Sequence, residues 1–472
     1  MTTTATSAPT ATELLDAYRA GSLSPVEATE DSLARIADHD GGVNAFCLVD
    51  AEAALTQARA SEERWRRGEP CGPLDGVPTA IKDIFLTRGW PTLRGSRLVD
   101  PGQDWAEDAP STARLREAGA VLVGKTTTPE FAWKGVTDSA LTGVTRNPWD
   151  PALTAGGSSG GAGAAVAAGM CPLATGTDGG GSVRIPGSFC GVFALKPTYG
   201  RIPLFPPSPF GTLSHAGPMT WTVRDAALMT DVMSRPDSRD WSQLPPPERS
   251  FLDGLEDGVA GLRIAFSPAL GYVDVDPEVA AAVRSAVGVF AELGARVEEV
   301  DPGFDDPLEA FDVLWYAGLA KVLEGYPAER RTEVEPAVVE VAALGEGYSA
   351  TDYLEAVAQR MALGVRMGAF HETYDLLLTP TTPIAAFEAG REVPPGWPHE
   401  RWQTWTPFTY PFNLTQQPAA TVPCGFTSAG LPVGLQVVGP RHADARVLRA
   451  CRAFEQARPW AGTRPTLGVS EG

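Results

Sequence analysis

The chain has few of the residues on which metal centres and disulfide frameworks depend. It contains six cysteines and five histidines in 472 residues. The cysteines show neither the paired spacing of a zinc site nor the density of a disulfide scaffold, and the histidines are scattered singly. The sequence therefore predicts reduced thiols, no metal and no other cofactor.

Basic residues and long apolar runs are also scarce. Lys and Arg number 38 against 58 Asp and Glu, a formal net charge of −20, whereas nucleic acid is bound mainly through Lys and Arg. No run reaches the roughly 18 apolar residues of a membrane-spanning helix. The first ten residues lack the basic start and apolar core of a signal peptide. These absences predict a cytoplasmic protein that binds neither nucleic acid nor membrane.

What the chain does contain is glycine, in two runs that each surround a serine. Residues 156–161 are Gly-Gly-Ser-Ser-Gly-Gly, and residues 176–186 are Gly-Thr-Asp-Gly-Gly-Gly-Ser-Val-Arg-Ile-Pro. Glycine admits backbone conformations that point bare N–H groups into one space. Such a set of donors suits a developing negative oxygen. A serine among these donors is well placed to attack a carbonyl carbon.

A serine nucleophile needs a base, and no histidine lies near either serine in the sequence. Lys82 ends the apolar, strand-like segment Gly-Val-Pro-Thr-Ala-Ile-Lys. A lysine acts as a base only when it is neutral, so burial must lower its pKa from about 10.4. Asp83 would oppose this shift, but adjacent residues of a strand point to opposite faces. The sequence therefore predicts a buried, neutral Lys82.

These segments, together with Leu-Lys-Pro-Thr-Tyr-Gly-Arg at 195–201, resemble the amidase signature family in their order and spacing. The resemblance runs from about residue 10 to the C-terminus, and the middle third diverges most. It implies a Ser–cisSer–Lys triad. Ser182 would be the nucleophile, Ser158 the bridging serine on a cis peptide after Gly157, and Lys82 the terminal base.

The same resemblance assigns supporting roles around the nucleophile. The backbone amides of Gly179, Gly180, Gly181 and Ser182 would form the oxyanion hole. Asp178 and Arg184, which flank the nucleophile, would hold the loop without taking part in the chemistry.

Apolar runs alternate with helical stretches along the chain, which favours an α/β layer sandwich. The family resemblance implies a three-layer α/β/α sandwich around a large mixed central sheet. Residues 1–65 are predicted to be an N-terminal helical segment packing on the core, with a helix beginning at the capping box Ser24-Pro25-Val26-Glu27. Residues 66–472 are predicted to be the catalytic domain, in which 235–410 is the divergent, substrate-shaping part.

Two further elements are predicted in the second half of the chain. Residues 262–300 have the pattern of a strand, a helix and a second strand, typical of a βαβ unit. Residues 418–438 are predicted to be an edge hairpin, followed by a closing helix from Asp444.

A phosphate-loop pattern competes with this interpretation. Residues 119–126, Gly-Ala-Val-Leu-Val-Gly-Lys-Thr, match it letter for letter. That motif needs a strand before its first glycine and a polar loop after it. Here a helix is predicted before Gly119 and a buried strand after it, so the context disfavours nucleotide binding.

A second alternative is a serine esterase. Residues 157–161 fit the Gly-x-Ser-x-Gly elbow, which would make Ser159 the nucleophile with His371 or His442 as its partner. This alternative leaves the segment 176–186 without a function.

A third alternative keeps the family and changes the function. The A subunit of the glutamine-dependent amidotransferase that amidates misacylated tRNA carries the same triad and releases ammonia to a partner. Residues 205–217 depart from the pattern expected of that subunit, and Thr127 stands where asparagine is common in the family. Both departures concern substrate selection and not the triad.

Aromatic residues outside the motifs indicate the kind of substrate. Phe131, Trp133, Phe210 and Trp315 are candidate pocket residues, because large rings supply flat apolar walls; the alternative is that such rings belong to the core. They favour a bulky apolar or aryl amide. Esters and carbamates stay open, since each reacts through a similar tetrahedral oxyanion.

The sequence thus predicts an amidase acting on carbon–nitrogen bonds other than peptide bonds. It would hydrolyse a small-molecule amide to an acid plus an amine or ammonia through a seryl acyl-enzyme. A homodimer is left open.

Overall fold

The computed structural model describes residues 8–460 and 462–467. The first seven residues, on which the expectation about a signal peptide partly rests, lie outside the described part. The α-helices are α1 (Ala11–Ala20), α2 (Pro25–Val43), α3 (Ala51–Arg67), α4 (Pro110–Glu117), α5 (Gly160–Ala167), α6 (Arg184–Cys190), α7 (Val223–Met233), α8 (Pro277–Glu292), α9 (Leu308–Glu324), α10 (Pro336–Glu346), α11 (Ala350–Thr373), α12 (Pro411–Leu414) and α13 (Asp444–Ala457).

The strands are β1 (Phe46–Val49), β2 (Pro78–Lys82), β3 (Val121–Thr126), β4 (Asp138–Ser139), β5 (Gly143–Val144), β6 (Arg146–Asn147), β7 (Asp150–Thr154), β8 (Leu173–Asp178), β9 (Phe193–Lys196), β10 (His215–Thr220), β11 (Arg263–Phe266), β12 (Arg296–Glu299), β13 (Leu376–Pro380), β14 (Ala419–Phe426) and β15 (Pro432–Val438).

A mixed sheet of 11 strands organises the molecule. Its order is β1-β3-β2-β8-β10-β9-β14-β15-β13-β11-β12, and β4-β5 and β6-β7 form two small separate sheets. Strand β2 runs parallel to both β3 and β8, whereas β10 and β14 pair with their neighbours in antiparallel fashion. Helices cover the sheet, so the predicted three-layer α/β fold is confirmed. None of the helices in the described ranges is both long enough and apolar enough to cross a membrane.

The N-terminal segment follows the prediction in part. The capping box is present, because Ser24 Oγ accepts a hydrogen bond from the Glu27 N–H and the Glu27 carboxylate accepts one from the Ser24 N–H. Residues 46–49, however, form β1, which pairs antiparallel with β3. The segment predicted to be helical thus contains a strand in addition to α1, α2 and α3. The short Phe-Cys-Leu-Val run contributes the edge strand of the central sheet.

The second half of the chain contains the predicted strand–helix–strand unit. Strands β11 and β12 run parallel with Ile264 opposite Val297, and α8 connects them. Strands β14 and β15 do form a hairpin, but it lies in the interior of the sheet between β9 and β13. The prediction of an edge hairpin is wrong. All seven residues of β15 are buried, as expected of a strand covered on both faces.

The phosphate-loop pattern has another explanation in the fold. Helix α4 ends at Glu117, and residues 121–126 form the fully buried strand β3. Lys125 is fully buried, and its Nζ lies 3.0 Å from Asp83 Oδ1. This segment is therefore sheet core, and Asp83 points away from Lys82 as the alternation of strand side chains requires.

Candidate active site

Lys82 is the last residue of β2 and has no exposed surface. Its Nζ lies 2.7 Å from Ser158 Oγ, 2.9 Å from Ser159 Oγ and 2.8 Å from Thr177 Oγ1. Thr177 is brought there because β8 runs beside β2 in parallel. A neutral amine has two N–H groups and one lone pair, so three hydroxyl neighbours can satisfy it without a positive charge.

The charge state of Lys82 follows from its surroundings. Burial lowers the pKa of Lys82 well below its ordinary value, and the carboxylate of Asp178 opposes this only in part. Within the described ranges, no carboxylate forms a salt bridge with Lys82. Burial therefore favours the neutral form of this amine, and a neutral amine can accept a proton from a hydroxyl group.

Ser158 lies between this amine and the cavity in front of the sheet. The peptide bond between Gly157 and Ser158 is cis, as the family resemblance implied. A Cβ atom at position 157 would lie 2.4 Å from the carbonyl of Val136, so only glycine fits there. Ser158 is 1% exposed and lines the cavity together with Ser182.

Ser182 follows the glycine run at the end of β8. Its carbonyl accepts a hydrogen bond of 3.1 Å from the Ser159 N–H, which ties the two serine-containing segments together. Its hydroxyl makes no hydrogen bond to another described residue and faces the cavity. The link between Lys82 and Ser158 is formed in this structure, and a link from Ser158 to Ser182 is not. Catalytic hydrogen bonds often tighten only in the substrate complex.

A buried ion pair holds the loop that carries Ser182. Arg184 donates to both carboxylate oxygens of Asp178 at 2.9 Å, and both side chains are fully buried. Arg184 lowers the pKa of Asp178 far below its usual range. Asn413 and Gln436 complete the network at 2.6 and 2.7 Å from the guanidinium. The pair holds the loop, and neither of its side chains forms a hydrogen bond with Lys82, Ser158 or Ser182 in the described structure.

The same carboxylate changes the predicted set of oxyanion donors. The N–H of Gly181 donates to Asp178 Oδ1 at 2.8 Å and is therefore not free for substrate. This corrects the inclusion of Gly181 in the oxyanion hole. The N–H groups of Gly179, Gly180 and Ser182 have no partner within the described ranges. A Cβ atom on Gly179 would lie 2.8 Å from the Trp315 ring, so aromatic packing also requires glycine there.

Three of the four predicted pocket residues line the cavity, namely Phe131, Phe210 and Trp315. The rings of Phe210 and Trp315 stack with centroids 4.0 Å apart. Trp133 does not line the cavity, which corrects the fourth assignment. It is fully buried, its indole N–H donates to Glu335 at 3.1 Å, and its carbonyl accepts from Trp315 Nε1 at 3.0 Å. Trp133 thus helps to position Trp315.

Sequence reasoning missed much of the remaining wall. A proline-rich segment, 204–210, supplies a large apolar part of it, and α9 adds Val322 beside Trp315. Arg94 also lines the cavity, and no motif singled it out. The sequence did contain a signal for this segment, because residues 205–217 depart from the pattern expected of the amidotransferase subunit. Its run of prolines and aromatics so soon after the nucleophile indicates a rigid apolar wall.

Neither a serine–histidine pair nor a metal centre is found in the residues that the structure describes. Ser159 Oγ contacts Lys82 and donates to the Thr177 carbonyl at 3.1 Å, whereas His371 bonds to the Tyr374 carbonyl. No group of three or more His, Cys, Asp or Glu side chains there is arranged to hold a metal ion. The arrangement present is an amine and hydroxyl groups beside amide donors, which suits acyl transfer.

Comparison with known proteins agrees with this arrangement. The Amidase family model matches residues 27–448. The chain belongs to the amidase signature family. As a member of this family it is an enzyme that hydrolyses amide C–N bonds.

Proteins similar to this amidase include both hydrolases and an amidotransferase subunit. An acylamidase of Rhodococcus erythropolis is 40% identical over 96% of both chains. The A subunit of the glutamyl-tRNA(Gln) amidotransferase of Chloroflexus aggregans is 38% identical, again over 96% of both. The crystal structure of a bacterial aryl acylamidase of the amidase signature family superposes with a TM-score of 0.90 at 32% identity, covering 97% of each chain.

Proposed function

We propose that this amidase hydrolyses a small-molecule carboxylic amide through a seryl acyl-enzyme, with Ser182 as nucleophile, Ser158 as relay and Lys82 as base. One observation carries the proposal. A fully buried amine without a salt-bridge partner in the described ranges lies 2.7 Å from a hydroxyl that lines the same cavity as a second, unpaired hydroxyl.

The relay moves one proton in each direction. As Ser182 attacks the carbonyl carbon, Ser158 takes its proton and gives its own proton to Lys82. The negative charge that develops on the carbonyl oxygen is stabilised by the N–H groups of Gly179, Gly180 and Ser182. When the intermediate collapses, the proton returns through Ser158 to the leaving amine. Water then releases the acid from Ser182 by the same relay.

The cavity supports a bulky apolar or aryl amide as the substrate. Its volume is about 150 Å³, and an apolar protein cavity of about that size accommodates a benzene ring. The rings of Phe131, Phe210 and Trp315 and the prolines of 204–210 supply flat apolar contacts. Aryl esters and carbamates fit the same chemistry, because they pass through a similar oxyanion.

The cavity also favours a free-standing hydrolase over an amidotransferase component. Glutamine carries an α-ammonium group, and a buried cation needs a paired acid. No acidic side chain lines the cavity among the described residues. A relative named acylamidase, 40% identical, is consistent with this choice.

The test is to trap the acyl group and compare serine variants. Incubation with an activated aryl ester should give a mass increase on the peptide that contains Ser182. Ser182→Ala should lower kcat/KM for an aryl amide by at least about 10³-fold while the protein still folds.

Ser214→Ala is the matched control, because Ser214 lines the same cavity without contact to Lys82. It should change kcat/KM by less than about 10-fold, the loss expected from one neutral hydrogen bond. Full activity in Ser182→Ala would refute the proposal. An acyl group on Ser159 would favour the esterase alternative.

A further inference from the structure

The wall of the active-site cavity contains one charged side chain among the described residues, that of Arg94. The other lining groups are apolar or carry hydroxyls. Arg94 is half-buried, and its guanidinium forms neither a salt bridge nor a hydrogen bond with any described residue. The cavity therefore presents a positive charge that the described part of the protein leaves unpaired.

Acidic groups on the adjoining segments are already occupied. The carboxylate of Asp83 pairs with Lys125 at 3.0 Å. Glu130 accepts hydrogen bonds from Ser96 Oγ at 2.6 Å and from the Glu335 N–H at 2.7 Å. Neither carboxylate forms a salt bridge with Arg94. An unpaired arginine that faces a ligand cavity is therefore available to a ligand.

The backbone holds Arg94 in an unusual conformation. Its φ is 55°, in the left-handed region that residues other than glycine seldom adopt. The conformation is held by neighbouring contacts. The Arg94 carbonyl accepts a hydrogen bond of 2.7 Å from the Phe131 N–H, and a Cβ atom on Gly95 would lie 2.6 Å from the Thr128 carbonyl.

Two more residues of the same wall share this conformation. Phe131 has a φ of 52° and Ala132 a φ of 59°, and both line the cavity beside Arg94. Strained residues of this kind persist where the surrounding structure over-determines them, and they cluster at ligand sites. Arg94 is thus held at the cavity by a backbone conformation that its neighbours fix.

An arginine presented in this way selects for a particular chemical group. Its planar fork of N–H donors matches the two oxygens of a carboxylate. We propose that Arg94 binds a carboxylate of the substrate, so that the preferred substrates are apolar or aryl amides carrying a carboxylate away from the scissile bond. This inference rests on the proposed amidase function and narrows its substrate class.

Two matched pairs of substrates test the inference. In one pair the carboxylate is on the amine side: 4-acetamidobenzoate against 4-methylacetanilide. In the other it is on the acyl side: N-phenylsuccinamate against N-phenylbutanamide. The readout is release of the arylamine, and the measured quantity is the ratio of kcat/KM within each pair.

The wild-type enzyme should prefer the carboxylate in at least one pair. Arg94→Gln and Arg94→Asn should reduce that ratio by about 10- to 100-fold, the range for a lost hydrogen bond to a charged group. Asparagine is included because it tolerates the left-handed conformation. Arg94→Glu should reverse the preference towards the analogue 4-aminomethylacetanilide.

The matched control is Arg88→Gln, which removes the same charge from an exposed arginine outside the cavity wall. It should leave both ratios unchanged. The inference is overturned if the wild-type enzyme prefers neither carboxylate, or if the preference survives in both Arg94→Gln and Arg94→Asn. If neutral anilides are hydrolysed in a Ser182-dependent manner and the enzyme shows no preference for a carboxylate, this inference is overturned and the proposed function is not. Failure to hydrolyse any of the four would overturn the proposed function as well.

Discussion

Two buried lysines of this amidase show how neighbouring groups decide the chemistry of an amine. Lys82 and Lys125 are both fully buried. Lys125 lies 3.0 Å from the Asp83 carboxylate, which opposes the effect of burial on its pKa. Lys82 has only hydroxyl partners, so burial acts on its pKa with little opposition. On adjacent strands, one amine is paired with an acid and the other has only hydroxyl partners.

The pH dependence of catalysis should show this difference. Lys82 acts as a base only when neutral, so kcat/KM should rise with pH through its pKa and then stay constant. Because burial lowers that pKa well below 10.5, the rise should be complete well below pH 10.5, and activity should be lost on the acid side. A profile from pH 5 to 10, with circular dichroism to confirm folding, measures it.

Lys82→Arg tests the same point independently, because a guanidinium stays protonated and cannot accept the proton. This variant should lower kcat/KM by at least about 10²-fold, the lower bound for the loss of a general base. A rate that keeps rising up to pH 10.5, as for an exposed lysine, would contradict the role given to Lys82.

Residue types and spacing predicted part of the site. The apolar neighbours of Lys82 indicated burial, and the glycines around Ser158 and Ser182 indicated close backbone packing. Thr177 was missed because its role depends on β8 lying beside β2, which spacing alone does not specify. Trp133 was misplaced because a large ring suits a core as well as a pocket. Arg94 was missed because it stands in no motif.

At the scale of elements, local signals were reliable and position in the sheet was not. The capping box at Ser24 and the unit at 262–300 were predicted, since each rests on neighbouring residues. The hairpin of β14 and β15 was placed at the edge, although it is central. Its near-continuous apolar run was the missed signal, because a strand buried on both faces loses the alternation of an edge strand.

Close contact between helices α9 and α10 gives a prediction at this scale. A Cβ atom on Gly345 of α10 would lie 2.1 Å from the Tyr316 carbonyl of α9. The neighbour is backbone, so Gly345→Ala must displace α9, which also carries Trp315 of the cavity. We expect a loss of about 1–3 kcal/mol in the free energy of unfolding and a higher KM for aryl amides.

Gly368→Ala is its matched control. Gly368 is an exposed residue of α11, and a Cβ atom there would meet nothing within 4 Å. The substitution should raise the free energy of unfolding by about 0.5–1 kcal/mol. Urea titrations of both variants at 25 °C measure the difference. Equal stability of the two would show that the close approach of α9 and α10 is not needed.

At the scale of the whole molecule, the site is assembled from segments that lie far apart in the chain. Lys82 comes from β2, Ser158 from the loop before α5, Ser182 from the loop between β8 and α6, and Trp315 from α9. The family motifs predicted the first three, because their spacing is characteristic. The division into 1–65 and 66–472 stays a prediction, although β1 joins the same sheet as β15. The region 235–410 contributes α9, whereas the proline-rich wall at 204–210 lies outside it.

At the scale of the whole chain, activity without a partner protein would distinguish a hydrolase from an amidotransferase subunit. The purified chain alone should hydrolyse aryl amides, and its specific activity should stay constant on dilution at fixed substrate concentration. Glutamine should be a poorer substrate by at least about 10²-fold in kcat/KM, because no acidic side chain of the described cavity wall pairs with its ammonium group. Release of arylamine and of ammonia, followed in parallel, measures the two activities.

Glutamine hydrolysis comparable to that of the aryl amide would assign the chain to the amidotransferase side of the family. Activity that appears only with an added partner would do the same, since the relay at Lys82 would then serve ammonia transfer and not free hydrolysis.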